Sequence, residues 1–320
     1  MLYLTEADVA QLISVDEVIP LVERALAGHA GGTIVNNPRR RLPLDTATLM
    51  SLEAGDLDEP FVGHKNYLAV PGKGVLSHFF LYNRDTRELL AMIQANELGR
   101  IRTGATGGVA ASYMARSDAR RHAVFGAGFQ AETQVEAISA VRPISDIRVW
   151  SRTEEHALAF QRRISAKLPE TRVELALADP AELAAWGDII TVATRASEPV
   201  VHGEWLRPGV FVNAMGSNAT TRAEIDADVV RRAGLIVADS LEGARAESGD
   251  LIQAAERGAL DWQRVLALSD VVAGHAPGRA EDDQITLFES QGLGLEDLAA
   301  GRLAYEKAME RGIGRQLDIG

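Results

Sequence analysis

The chain has 320 residues, 46% hydrophobic and 24% charged, and a net charge of −12 at neutral pH. This composition is that of a globular protein large enough for two domains, and the negative charge argues against nucleic acid and membranes as partners. The lack of cysteine excludes disulfides, thiolate catalysis and cysteine-ligated metal. We expect no metal site, and the cytoplasm is the expected compartment.

The first part of the chain is predicted to form two short helices and then a run of strands. Thr5 can cap the first helix, and Ser14 with Glu17 forms a capping box for the second. From about residue 39, extended segments such as FVGHKNYLAV and LSHFFLYN alternate with turn residues. The segment LGRIRTGATGGVAASYMA, residues 98–115, then indicates a helix of small, tightly packed residues.

Strands and helices alternate in the next part of the chain. HAVFGA, DIRVWS, DIITVAT, GVFVNAMG and LIVADS are typical of buried strands, and helical segments separate several of them. Such alternation predicts an α/β fold with a doubly wound parallel sheet of the Rossmann type. The segment GLEDLAAGRLAYEKAMERG predicts a last helix with no strand after it, which returns to the first domain.

A glycine-rich turn lies in RHAVFGAGFQAE, residues 121–132. A strand precedes Gly126 and a helix follows, which favours a dinucleotide phosphate site over an ordinary bend. Gly126 would allow the tight turn, and Gly128 the close approach of a pyrophosphate to helix N–H groups. Ala131 stands where a third glycine is usual, an accepted variant. The predicted cofactor-binding residues of this turn are Gly126, Ala127, Gly128, Phe129 and Gln130.

The end of the second strand of this domain bears on the choice of nucleotide. An acid at that point would hold the ribose 2′-hydroxyl of NAD. Instead DIRVWSRTEE continues with Ser151, Arg152 and Thr153, which could bind a 2′-phosphate and so favour NADP. Alternatively, Arg152 faces solvent and Ser151 caps the next helix, which leaves NAD usable. We therefore expect NAD(P)H, with the choice left open.

Taken in order, several segments resemble the ornithine cyclodeaminase/mu-crystallin family. They are GHK at 63–65, IRTGATGGVAA at 101–111, VFGAGFQA at 124–131, VNAMGS at 212–217, ESGDLI at 247–252 and ITLFESQGLGLEDLAA at 285–300. The resemblance implies a homodimer, a nicotinamide cofactor and a small amino- or imino-acid substrate. It also implies a Rossmann domain at 118–299 and an α+β dimerisation and substrate domain formed from both chain ends, 1–117 and 300–320.

The resemblance also implies roles for individual residues. Lys65 matches the active-site lysine of the family. Burial lowers the pKa of a lysine between apolar segments, so it could polarise or protonate a C=N group. Arg102 matches an arginine that reaches both substrate carboxylate and cofactor phosphate, and Thr103 beside it is expected to contact phosphate. The other residues expected at the cofactor are Thr194, Met215, Gly216 and Ser217.

Arg40 best matches a further arginine that binds the substrate carboxylate, although its neighbours Arg39 and Arg41 leave the register open. His78 stands where the family often has threonine. If it faces the pocket, it adds a second cationic or donor group opposite Lys65. The alternative is a half-buried strand histidine without a role in the site.

Asn218, also expected in the substrate site, departs from the cyclodeaminases, which have aspartate there. An amide cannot take a proton from an amine, which puts cyclodeamination in doubt. We expect NAD(P)H-dependent reduction of a small 2-imino acid to an L-amino acid, reversible as an amino-acid dehydrogenase. The best guess is an imino dicarboxylate such as iminosuccinate, which would give L-aspartate. The alternatives are ornithine cyclodeamination and a mu-crystallin-like cofactor- and ligand-binding protein.

Overall fold

A computed structural model describes residues 1–176, 179–215 and 217–318. The chain divides into two compact units. The first comprises Met1–Thr106 and the segment from Gly292 onward, and the second comprises Gly107–Gln291. The predicted boundaries, 117/118 and 299/300, lie further along the chain, because the division falls inside a continuous helix and ahead of the last helix. In the described part of the chain, no helix is long and apolar enough to cross a membrane.

The regular elements are numbered in chain order. The strands are β1 (Leu2–Leu4), β2 (Ile34–Pro43), β3 (Thr48–Asp56), β4 (Phe61–Ala69), β5 (Ser77–Asn83), β6 (Leu89–Gln94), β7 (Arg121–Phe125), β8 (Asp146–Trp150), β9 (Arg172–Leu175), β10 (Ile189–Val192), β11 (Phe211–Ala214), β12 (Leu235–Ala238), β13 (Val265–Ala267), β14 (Thr286–Glu289) and β15 (Arg315–Gln316). The α-helices are α1 (Glu6–Leu12), α2 (Val15–Ala30), α3 (Asn96–Met114), α4 (Phe129–Val141), α5 (Glu154–Lys167), α6 (Pro180–Trp186), α7 (Ala227–Arg232), α8 (Leu241–Glu247), α9 (Gly249–Glu256), α10 (Leu268–Val272) and α11 (Gly294–Arg311).

The first unit is built on a mainly antiparallel sheet of order β15-β1-β6-β5-β4-β3-β2. Helices α1 and α2 begin at the predicted capping boxes of Thr5 and Ser14. Buried and less buried residues alternate along β5, as expected where helices cover one face of a sheet. One expectation is wrong: a strand follows the last helix, because β15 pairs with β1. It has too few residues to leave a pattern in the sequence.

The two faces of this sheet differ. Helix α11 packs against β3 and β4 on the face that carries Leu52, Lys65 and Phe79. On the other face, His64 stacks on Phe80 and Tyr82. This second face also exposes large apolar side chains: Val35, Leu42, Leu49, Val62 and Leu68.

The second unit is a parallel sheet of order β13-β12-β14-β11-β10-β7-β8-β9, with helices in the connections. From β9 to β14 the order corresponds to 3-2-1-4-5-6 of the Rossmann fold. The α/β class with a doubly wound parallel sheet is therefore confirmed. The strand order reverses between β7 and β10, and ligands of such sheets bind beyond the carboxyl ends of the strands at this point.

Candidate active site

The first unit contains a buried lysine that is held by a buried carboxylate. Lys65 lies on β4, is 4% exposed, and pairs across the sheet with Leu52 and Phe79. Its Nζ donates a hydrogen bond of 2.6 Å to Oδ1 of Asp297. Asp297 is in the first turn of α11 and is fully buried. The ammonium group is thus fixed where the helix covers the sheet.

Arg102 on α3 joins the same cluster and is 6% exposed. Its Nε donates to Asp297 Oδ1 at 3.0 Å, and its Nη1 donates to Oε2 of the fully buried Glu296 at 2.5 Å. A side chain at Gly292 would place its Cβ 2.5 Å from Arg102 Nη1, and the backbone φ there is +87°. Only glycine therefore suits this loop. Thr103, the next residue on α3, is partly buried.

The surroundings of Lys65 change its acidity. Burial lowers the pKa of Lys65 to about 8, and the nearby Arg102 and Arg39 guanidinium groups act in the same direction. The carboxylate of Asp297 acts against them and raises the pKa. Lys65 therefore gives up and regains a proton close to neutral pH, as a general acid requires.

Two of the three adjacent arginines of β2, Arg39 and Arg41, lie on the Lys65 side of the sheet; Arg41 pairs with Met50, which shares the face of Leu52. Arg40 pairs with Ser51, so its side chain projects from the opposite face, where it is 69% exposed and lies 3.8 Å from Glu53. An irregularity between Asn37 and Arg40 adds a residue to the strand and breaks its alternation. Arg39 Nη2 lies 3.5 Å from the Gly292 carbonyl oxygen and acts on the pKa of Lys65. Arg39 and Arg41 therefore share the face of Lys65, and Arg40 does not.

His78 does not face Lys65. On β5 it is Phe79 that pairs with Lys65, whereas His78 pairs with Asn66 on β4 and with Gln94 on β6. Successive residues of a strand point to opposite faces, so His78 lies on the other side of the sheet from Lys65. This corrects the expectation of a second cationic group opposite the lysine.

In the second unit, the glycine turn has the features that a dinucleotide phosphate needs. Gly126 has a φ of +107°, and a side chain there would collide with the carbonyl oxygen of Ala193. Gly128 is the N-cap of α4, with open space around the position of a Cβ. It has no side chain to accept the first N–H groups of the helix, which suits the approach of a phosphate. Ala127, Phe129 and Gln130 complete this turn and the start of α4.

The end of β8 carries the predicted polar residues. The strand ends at Trp150, so Ser151 is the first residue beyond it. Ser151 Oγ accepts a hydrogen bond of 3.4 Å from the backbone N–H of Thr153, while Arg152 and Thr153 are exposed. The residues directly beyond this strand offer hydroxyl groups and a guanidinium group.

The loops after β10 and β11 hold the remaining predicted residues. The backbone N–H of Thr194 donates to Glu224 Oε1 at 2.6 Å, and its hydroxyl group donates to the same oxygen. Met215 N donates to the Val192 carbonyl oxygen at 2.9 Å. Ser217 is buried and Asn218 is exposed. Gly216 lies outside the described residues.

Sequence reasoning assigned no role to two groups of buried acids. Glu296 and Asp297 lie within the segment ITLFESQGLGLEDLAA, but acids in a first helical turn usually stabilise the helix terminus from the surface. Asp250 Oδ1 accepts N–H bonds from Glu224 and Ile225, and burial raises the pKa of Asp250 to about 6. For Glu296 and Asp297, the available signal in the sequence was that two acids stand side by side before the apolar residues of α11.

The parallel sheet, its glycine turn and the buried lysine–arginine–aspartate cluster define an α/β protein of the dinucleotide-binding class. The chain belongs to the ornithine cyclodeaminase/mu-crystallin family, whose profile matches residues 1–312.

Three solved structures are similar over nearly the whole chain. Delta(1)-pyrroline-2-carboxylate reductase of Thermococcus litoralis, in complex with NADH and L-proline, is 34% identical with a TM-score of 0.94, and the match covers 99% of this chain and 100% of that one. An archaeal alanine dehydrogenase dimer with bound NAD is 29% identical with a TM-score of 0.93, covering 100% and 99%. Iminosuccinate reductase of Paracoccus denitrificans with NAD⁺ is 26% identical with a TM-score of 0.91, covering 100% and 99%.

Proposed function

We propose that this protein is an oxidoreductase that reduces the C=N bond of a small 2-imino acid to an L-amino acid with a nicotinamide cofactor. The observation that carries the proposal is the buried Lys65, which has a pKa of about 8 and lies beside Arg102. The similar reductases and the dehydrogenase act on substrates of this kind, as their names state. The same residues would serve the reverse oxidation.

The roles of the residues follow from their chemistry. Lys65 protonates or polarises the imine nitrogen, since its pKa is close to the working pH. Arg102 binds the substrate carboxylate, a role that suits a guanidinium group, and Arg39 takes the part expected of Arg40. Gly126 and Gly128 fit the pyrophosphate of the cofactor. When bound, the cofactor supplies the hydride that reduces the imine carbon.

The similar structures favour a substrate with one carboxylate. A Δ1-pyrroline-2-carboxylate reductase at 34% identity and an alanine dehydrogenase at 29% act, as their names state, on compounds of this kind, whereas the iminosuccinate reductase is 26% identical. Δ1-Pyrroline-2-carboxylate and the imine of pyruvate are the candidate substrates.

The imino dicarboxylate expected from the sequence loses its support. The idea depended on His78 as a second polar group opposite Lys65, and His78 lies on the other face of the sheet. Iminosuccinate remains the second candidate because a reductase of that name is among the similar structures. A monocarboxylic 2-imino acid is the substrate class that we propose.

The other two activities have less support. Cyclodeamination needs a base where this chain has Asn218, and an amide does not supply one. A ligand-binding protein without turnover has no need for a buried lysine of lowered pKa. Both alternatives predict no consumption of NADH or NADPH with an imino acid.

A homodimer is part of the proposal. Exposed Val62, Leu68 and Leu49 give one face of the first unit's sheet an apolar surface. Apolar patches of this kind mark interfaces between subunits. A similar alanine dehydrogenase is described as a dimer. We propose that this face joins two copies of the chain.

The substrate class is tested by following the oxidation of NADH and NADPH with Δ1-pyrroline-2-carboxylate, with pyruvate plus ammonia, and with oxaloacetate plus ammonia. We expect higher kcat/KM with the imines that carry one carboxylate. Preference for the imine of oxaloacetate would restore iminosuccinate as the substrate. No oxidation of either nucleotide with any of the three would contradict imine reduction.

A further inference from the structure

We propose that Asp297 is a positioning residue that holds Lys65 and Arg102 together, so that the proton donor and the carboxylate-binding group meet the substrate in a fixed arrangement. The inference rests on the proposed imine reduction, and it adds a residue to which sequence reasoning gave no role. Asp297 acts through its two partners rather than by contact with the reacting atoms.

The geometry is that of one acceptor shared by two cations. Asp297 Oδ1 lies 2.6 Å from Lys65 Nζ and 3.0 Å from Arg102 Nε. The three residues come from α11, β4 and α3, so a single oxygen ties together two helices and a strand. The carboxylate therefore fixes the separation of the two cations.

Burial makes this link strong. The side chain of Asp297 is fully buried, and those of Lys65 and Arg102 are 5% and 8% exposed. Charge-assisted hydrogen bonds gain strength where water is excluded. Removing one member leaves an uncompensated buried charge, so the remaining cations would repel each other and move.

Lys65 keeps the capacity to bind a substrate while Asp297 holds it. An ammonium group has three N–H donors, and within the described residues Asp297 is the acceptor found for Lys65. The two remaining donors are available to the imine nitrogen and the substrate carboxylate. Gly99 on α3 has no side chain and lies next to the ammonium group: the position of its missing Cβ is 3.8 Å from Lys65 Nζ, an ordinary contact distance.

Asp297 also favours the protonated form of Lys65. Burial and Arg102 lower the pKa of this lysine, whereas Asp297 raises it through its charge and its hydrogen bond. Loss of the negative charge would lower the pKa further below 8. Glu296 is a suitable comparison because it pairs with Arg102, whereas the hydrogen bond from Lys65 goes to Asp297.

The test uses the full-length protein with NADH and Δ1-pyrroline-2-carboxylate from pH 6 to pH 10. Asp297→Asn keeps the volume and removes the charge. We expect the fall in kcat at high pH to begin about one pH unit lower than in the wild type, and kcat at pH 8 to drop about 10-fold or more. The KM for NADH should stay unchanged. Asp297→Glu, which restores the charge, should return the profile towards that of the wild type.

Glu296→Gln is the matched control, because it neutralises the neighbouring acid. We expect it to change the KM for the imino acid severalfold and to leave the pH profile of kcat in place. An equal loss at every pH in Asp297→Asn, or the same profile in both variants, would overturn the inference. If Asp297→Asn does not fold, Asp297→Glu carries the test, because its longer side chain keeps the charge and moves the acceptor oxygen. A lower kcat with the wild-type profile would support the positioning role, and a wild-type kcat would overturn it.

A direct titration separates this inference from the proposed function. The chain has few lysines, namely Lys65, Lys73, Lys167 and Lys307, so NMR of lysine labelled with ¹³C resolves Lys65 without any turnover. We expect the pKa of Lys65 to fall in Asp297→Asn and to stay in Glu296→Gln. If the wild type reduces no imino acid but this shift appears, the proposed function fails and the positioning role of Asp297 stands. If turnover occurs without the shift, the inference alone fails.

Discussion

Lys65 makes the pH dependence of the reaction predictable. Burial, Arg102 and Arg39 lower its pKa to about 8, so at pH 7 about 90% of the lysine is protonated and at pH 9 about 10%. Only the protonated form gives a proton to the imine. We therefore expect kcat to be level below pH 7.5 and to fall about tenfold for each pH unit above 8. An ordinary lysine would keep it level to about pH 10.

The assay measures NADH oxidation at saturating substrate between pH 6 and pH 10, alongside two variants. Lys65→Ala should lower turnover by about 100-fold or more, the usual loss for a positioned acid, with NADH binding by fluorescence intact. Lys73→Ala removes an exposed lysine and should leave both rate and profile unchanged. A level wild-type profile to pH 10, or turnover by Lys65→Ala close to that of the wild type, would show that Lys65 is not the proton donor.

Three further variants test other parts of the proposal. Ser151→Asp should shift the preference towards NADH, because a carboxylate repels a 2′-phosphate; NADPH affinity equal to that of the wild type would contradict the position given to Ser151. His78→Thr should alter kcat/KM by less than about threefold, and equally for substrates with one or two carboxylates, since His78 faces away from Lys65. A loss of kcat/KM in His78→Thr that is confined to iminosuccinate would restore a substrate-binding role for His78. Val62→Asp should convert the proposed dimer to monomers in light scattering, because it places a charge on the apolar face; a dimer mass unchanged by the substitution would show that this face is not the interface.

Much of the fold could be predicted from local pattern. The alternation of apolar strands and helices after residue 118 predicted the parallel sheet, and the glycine turn marked the strand where its order reverses. The capping boxes placed the starts of α1 and α2, because a cap depends only on neighbouring residues. The strand β15 could not be predicted from local pattern, because its pairing with β1 joins opposite ends of the chain.

The site could be predicted only in part, for reasons of register and burial. An irregularity in β2 reversed the expected faces of Arg39 and Arg40, and a sequence does not display such an extra residue. A shift of one residue in the pairing of β4 with β5 would put His78 in place of Phe79 on the Lys65 face. The pairing of the two strands therefore had to be known before His78 could be placed. Local sequence gives Asp297 the pattern of a surface acid in a first helical turn. Its burial depends on Lys65, which is far away in the sequence and contacts it only in the folded chain.

Imine reduction and cyclodeamination differ in their products, so a product analysis of the wild-type protein decides between them. Δ1-Pyrroline-2-carboxylate with NADH is compared with ornithine and a catalytic amount of NAD. We expect one L-proline to form from the imino acid for each NADH oxidised, and ornithine to release no ammonia. Ammonia and proline from ornithine without net NADH formation, together with no NADH oxidation by the imino acid, would contradict imine reduction and assign the chain to cyclodeamination.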